Sequence, residues 1–125
     1  MKKIALFSLL ILLIAGVAYA KNQAEMKMQE SVWDFGKIKQ NKKVSHEFTF
    51  TNVGDANLVI LDAKAECGCT TPSYPEQPIA PGKTGKITVT YNPVGRPGSF
   101  EKTVTIRTNG KQKKVRIKVR GEVIR

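Results

Sequence analysis

One histidine, one tryptophan and two cysteines set two residues apart are all that this 125-residue sequence offers of the side chains that most often build catalytic and metal sites. A lone histidine with no Gly-x-Ser-x-Gly gives no basis for a nucleophilic triad. The absence of His-Glu-x-x-His removes the zinc-protease helix, and the absence of a phosphate-binding glycine loop removes a nucleotide cradle. The sequence therefore reads as a non-enzyme that needs no cofactor. A structural zinc site wants four ligands, and to Cys67 and Cys69 the chain adds only His46 and the methionines Met26 and Met28. Outside the first twenty residues no segment repeats its apolar positions every 3.6 residues, so a helical fold is not expected.

Residues 1–20 carry the marks of an export signal. Lys2 and Lys3 are followed by an apolar run from Ile4 to Val17, and Ala18-Tyr19-Ala20 supplies the small residues of a cleavage site. The run falls short of the ~20 residues that span a bilayer comfortably, so an uncleaved anchor is the weaker alternative and no membrane span is expected in the mature form. No cysteine stands at the cleavage point, which leaves a lipid anchor unsupported. The remaining stretch, Lys21 to Arg125, is enough for one domain and too short for two. Without Lys2 and Lys3, 19 of the 21 basic residues face 10 acidic ones, a net charge of +9. That excess favours an anionic protein face or an anionic envelope component as partner; for a periplasmic or secreted chain these come before nucleic acid. Export also makes a Cys67–Cys69 disulfide the default expectation.

Residues 21–30 are polar without strong periodicity and read as a flexible leader, so the fold is placed at 31–125. Trp33 and Phe35 lie two apart, which a strand puts on one face, and Trp33 is expected to plug the core. Val44, His46, Phe48 and Phe50 alternate with Ser45, Glu47, Thr49 and Thr51 as in a half-buried strand. Asn52-Val53-Gly54-Asp55 supplies turn chemistry, and Leu58 to Ala65 forms the strand leading into Cys67-Gly68-Cys69. Four of the six prolines fall between Thr71 and Gly85, which excludes a central strand there and predicts a stiff crossing loop. That loop closes in a type II turn with Pro81 and Gly82 at its centre. Strands follow over Lys86 to Tyr91, from Phe100 to Thr108, and over Lys113 to Val123. Asn109-Gly110 predicts a type I′ hairpin between the last two. About seven short strands separated by turn signals indicate an all-β, immunoglobulin-like antiparallel sandwich, with a small closed barrel as the alternative. Two cysteines this close cannot form the inter-sheet bridge of antibody domains.

Trp33-Asp34-Phe35-Gly36, Phe48-Thr49-Phe50-Thr51-Asn52-Val53-Gly54, Cys67-Gly68-Cys69-Thr70, Ile79-Ala80-Pro81-Gly82, Tyr91-Asn92-Pro93 and Ile106-Arg107-Thr108-Asn109 stand in an order that closely resembles the bacterial "domain of unknown function 1573" family. The resemblance runs from Trp33 to Val123. It implies an Ig-like sandwich akin to the domains of Hydin and abnormal-spindle proteins, in an exported protein of Bacteroides-like bacteria, and it carries over no activity and no catalytic residues.

Two constellations remain. Cys67 and Cys69 admit a local disulfide, a thiol–disulfide exchange site, or a soft Cu(I) clip with His46 as a weak further ligand. A bridge closing only three residues constrains the unfolded chain by about 1.6 kcal/mol, too little for the main staple of a fold, and the Cys-x-x-Cys helix that lowers a thiol pKa is missing. His46 shares the face of Phe48 and Phe50, so a place at the end of the core face is the bland reading against the ligand one. Lys114, Arg116, Lys118 and Arg120 all point away from the core on the last strand and are candidates for docking an anionic partner. The alternative is a solvated face, or an edge strand protected by its lysines.

Overall fold

The computed structural model describes residues 22–125 and contains eight strands: β1 (Met26–Met28), β2 (Val32–Lys39), β3 (Val44–Asn52), β4 (Ile60–Ala65), β5 (Thr70–Ser73), β6 (Thr84–Tyr91), β7 (Gly98–Thr108) and β8 (Lys114–Ile124). They form two four-stranded sheets, one ordered β1-β3-β6-β5 and the other β2-β8-β7-β4. This is the Ig-like sandwich anticipated from the alternation. Every pairing is antiparallel except β2 with β8, which is parallel. The export-signal residues 1–20 lie outside the described residues.

The alternation in β3, β6, β7 and β8 decides the core. Phe48 and Phe50, Ile87 and Val89, Val104 and Ile106, and Ile117 and Val119 all turn inward and are buried. Removing each such side chain from water contributes about 1.5–3 kcal/mol. A smaller cluster of Cys69, Tyr91 and Val123, flanked by Ile38, Val44, Cys67 and Phe100, fills one end, where the Tyr91 and Phe100 rings stack with centroids 3.9 Å apart.

Four local expectations are corrected. Residues 26–28 belong to the fold rather than to a flexible leader: Met26 and Met28 pair with Asn52 and Phe50 of β3, and Ala24 and Met26 are buried. The short polar stretch hid this because only alternate residues of an edge strand face inward. Trp33 is not a core plug; it is 37% exposed. It lies on β2, an edge strand of its sheet, where one face of the indole stacks on His46 of β3 and the rest stays open to solvent. The proline-rich stretch opens with a real strand, β5, in which Pro72 pairs with Val89. Proline survives there because β5 is an edge. Finally, Asn109 and Gly110 do not form a type I′ turn, since neither has positive φ. Five residues join β7 to β8, and Asn109 is recruited elsewhere: its Oδ1 accepts the Val59 N–H at 2.8 Å and its Nδ2 donates to the Asn57 carbonyl at 3.2 Å. The turn at Pro81 and Gly82 forms as expected, with Gly82 at φ 80 and the Lys83 N–H donating to the Ala80 carbonyl at 3.0 Å.

Candidate functional site

Because β8 alternates strictly, Lys114, Arg116, Lys118 and Arg120 leave the sandwich on one side. The strand sits between β2 and β7, so its cations occupy the middle of an outer face, and protection of an open edge does not account for them. The four differ in their surroundings. Lys118 Nζ lies 3.4 Å from Glu101 and Arg120 Nε lies 3.4 Å from Asp34, whereas Lys114 and Arg116 form no ion pair among the described residues. Neighbouring strands set this division: register places Arg120 beside Glu101 of β7 and Asp34 of β2, but Arg116 beside Thr105 and Lys114 beside Arg107.

A shallow groove runs across the end of the row that holds Lys114 and Arg116, lined by these two, Lys64, Arg107 and Lys118 with Asp62 and Glu66. The two acids do not neutralise the five cations. Asp62 is itself engaged: its Oδ2 accepts from Arg107 Nη1 at 2.8 Å, while its Oδ1 is buried with no hydrogen-bond partner among the described residues. Lys64 and Arg107 were not singled out in sequence. Lys64 adjoins Thr105 of β7, which in turn adjoins Arg116 of β8, a neighbourhood that depends on strand order and is invisible in any one segment.

Cys67 and Cys69 occupy the four-residue crossing from β4 in one sheet to β5 in the other, at the rim of the sandwich, and they are joined as a disulfide with Cα atoms 5.3 Å apart. Cys69 is buried, and its carbonyl accepts the Asn92 N–H at 2.8 Å. Cys67 is half-buried; its Sγ accepts the Cys69 N–H at 3.3 Å, and Thr70 Oγ1 lies 3.9 Å from it and 3.5 Å from the Cys69 Sγ. Bonded to each other, the two sulfurs present no thiolate for Cu(I).

His46 is drawn into another cluster. Its ring stacks on Trp33 at 3.9 Å, meets Phe48 edge-on at 4.8 Å, and its Nε2 is hydrogen-bonded to the Glu30 carboxylate. The three weak ligand candidates are thus not brought together, and among the described residues no group of three or more His, Cys, Asp or Glu side chains is placed to hold a metal ion. No helix among those residues is long and apolar enough to cross a membrane.

One polar residue passed unremarked as turn chemistry. Asn52 ends β3 fully buried; its Nδ2 donates to the carbonyls of Ala56 (2.8 Å) and Ile79 (2.9 Å), and its Oδ1 accepts the N–H groups of Gly54 (3.0 Å) and Glu25 (3.2 Å). It ties together the N-terminal segment, the β3–β4 turn and the β5–β6 loop. Tyr91, also buried, has its phenol pushed above the ordinary value near 10 by burial, an effect partly offset by Arg96.

Comparison with known proteins adds to this geometry. The family described as "Protein of unknown function (DUF1573)" matches residues 26–123. A protein of unknown function from Porphyromonas gingivalis W83 has a similar structure, with a TM-score of 0.71 at 19% identity over 84% of this chain; the chain spans 50% of that protein's length. The ASH/PapD-like domain 7 of human CEP192 has a TM-score of 0.64 at 12% identity, covering 84% of this chain and 89% of that one. The YadV chaperone has a TM-score of 0.59 at 14% identity, covering 78% and 51%. At these identities the likeness is one of fold. No curated protein sequence matches the chain.

Proposed function

The chain belongs to the DUF1573 family, and from that footing we propose that it is an exported, non-catalytic Ig-like module of the cell envelope whose β8 face docks an anionic macromolecule. The observation that carries this reading is the groove in which Lys114 and Arg116 stand without ion pairs beside Lys64. Surface cations already paired with a carboxylate have little field left to offer, whereas unpaired ones clustered on a rigid sheet attract closely spaced carboxylates or phosphates and speed the encounter. A sheet face also holds such charges at fixed spacing with no ordering entropy in the backbone. Residues 1–20, with their positive start, apolar run and small-residue end, support export to the periplasm or beyond.

The test compares two double charge reversals that alter net charge equally: Lys114→Glu with Arg116→Glu, and Lys118→Glu with Arg120→Glu. Binding to polyphosphate and to poly-glutamate is followed against salt. The first pair should weaken binding at least tenfold more than the second and flatten the salt dependence. Equal losses from the two pairs would show that net charge alone is responsible and would remove the docking site.

A further inference from the structure

The Cys67–Cys69 bridge joins residues that the chain already holds close, so it does little to restrain the unfolded chain. The crossing it spans is also secured without it. The Glu66 N–H donates to the Thr103 carbonyl at 3.2 Å, the Thr70 N–H to the Cys67 carbonyl at 3.4 Å, and the Asn92 N–H to the Cys69 carbonyl at 2.8 Å. These backbone bonds can persist when the sulfurs separate, which keeps the two thiols within reach for reclosure.

The two sulfurs are unequally placed. Cys69 is 5% exposed and packs with Tyr91 and Val123, while Cys67 is only half-buried. Gly68 beside it is exposed, and apart from its two chain neighbours no heavy atom lies within 4 Å of the point where a Cβ would stand, so the loop flanking Cys67 faces open space. The Cys67 Sγ also receives the Cys69 N–H, a contact that favours a thiolate there. We propose that this pair is a thiol–disulfide exchange site, with Cys67 as the sulfur that meets the partner thiol and Cys69 as the buried resolving sulfur.

In the forward direction a partner thiolate attacks the Cys67 Sγ. The new bond joins Cys67 to the partner sulfur, the Cys67–Cys69 bond breaks, and its electron pair leaves on the Cys69 sulfur, 3.5 Å from the Thr70 hydroxyl. A second thiolate from the same dithiol, or from another thiol, then attacks the partner's sulfur. That releases Cys67 as thiolate and leaves the partner as a disulfide. Two electrons have passed from the partner thiols to the pair, which takes up two protons in place of those the thiols gave up. The reverse sequence begins with the Cys67 thiolate and oxidises the pair at the expense of a partner disulfide.

The oxidised protein is titrated with glutathione redox buffers without denaturant, with alkylation and mass spectrometry to count thiols and far-UV circular dichroism to follow the fold. Full reduction of a still-folded chain is expected, with the thermal midpoint lowered by about 6–13 °C. Cys69→Ser, which leaves Cys67, should form a mixed disulfide with oxidised glutathione at least tenfold faster than Cys67→Ser, which leaves Cys69. In the wild-type protein, acid-quenched adducts should map to Cys67. Reduction only on unfolding, adducts on Cys69, or equal rates for the two variants would overturn the proposal. The wild-type mapping decides the matter even if one variant fails to fold. None of these readouts depends on the β8 face.

Discussion

Replacing Asn52 with alanine deletes a side chain that is fully buried and satisfies four backbone groups from three segments. The carbonyls of Ala56 and Ile79 lose a donor, and the N–H groups of Glu25 and Gly54 lose an acceptor. A buried polar group left unpaired costs about 1–3 kcal/mol, but the Ile79 carbonyl keeps the Leu58 N–H at 2.9 Å, and Gly54 and Ala56 border a surface turn, where water can replace part of the loss. The net cost should be about 3–5 kcal/mol, a large part of the roughly 5–15 kcal/mol that holds a domain of this size. Asn52→Asp separates the two halves of the interaction. Its carboxylate keeps the two N–H contacts but faces two carbonyls with no proton to offer, so its folded-state pKa is raised. Its deficit at neutral pH should therefore shrink as the medium is acidified and the carboxyl regains a donor. Reversible urea unfolding followed by far-UV circular dichroism measures both, with equal slopes against denaturant required for comparison. A cost for Asn52→Ala below about 1 kcal/mol, or an Asn52→Asp deficit that grows on acidification, would refute the reasoning.

Trp33→Ala should cost about 1 kcal/mol, well below the 3–5 kcal/mol expected for Phe48→Ala, because the indole is partly exposed while Phe48 is fully buried; acrylamide should quench the Trp33 fluorescence in the folded protein, and a fully protected indole would contradict its placement. Gly54→Ala should destabilise by more than 1 kcal/mol, since an added Cβ would meet the Gln23 carbonyl oxygen at 2.2 Å; hydrogen exchange at Glu25 and Met26 should rise with it, and unchanged protection would count against the packing of the N-terminal segment. The raised phenol pKa of Tyr91 contributes stability that is present below the unfolded value near 10 and is lost as pH climbs through the folded value, because the unfolded chain releases the proton first. Tyr91→Phe should thus lessen the loss of stability between pH 9 and about 11, and an unchanged alkaline profile would show that Tyr91 does not contribute to it.

The candidate sites were legible to different degrees. Strict alternation in Lys114 to Val123 was enough to send Lys114, Arg116, Lys118 and Arg120 to one face. It could not tell that Asp34 and Glu101 would neutralise the far end of that row and leave the near end open, since those carboxylates arrive from two other strands. The local character of the Cys67–Cys69 bridge followed from its spacing. The unequal burial of its sulfurs did not, because Tyr91 and Val123 come from distant positions to cover only one of them. His46 was placed at the end of a core face by its neighbours Phe48 and Phe50, but its stacking on Trp33 required the edge of β2 to cross over β3.

Sequence by itself determined the sandwich class, the inward residues of β3, β6, β7 and β8, and the turn at Pro81 and Gly82. Each rests on a property carried within a few consecutive residues: a two-residue side-chain period, the fixed φ of proline or the freedom of glycine. Tertiary structure alone decided what depends on long-range company. It drew Met26 into the core as part of a three-residue edge strand, left Trp33 half-exposed on an edge strand against His46, turned Asn109 from a hairpin residue into a bridge to β4's approach, and made Asn52 a buried junction. Short edge strands and single polar bridges have too little local periodicity to announce themselves. Their free energy comes from partners tens of residues away, so their roles exist only once the sheets are assembled.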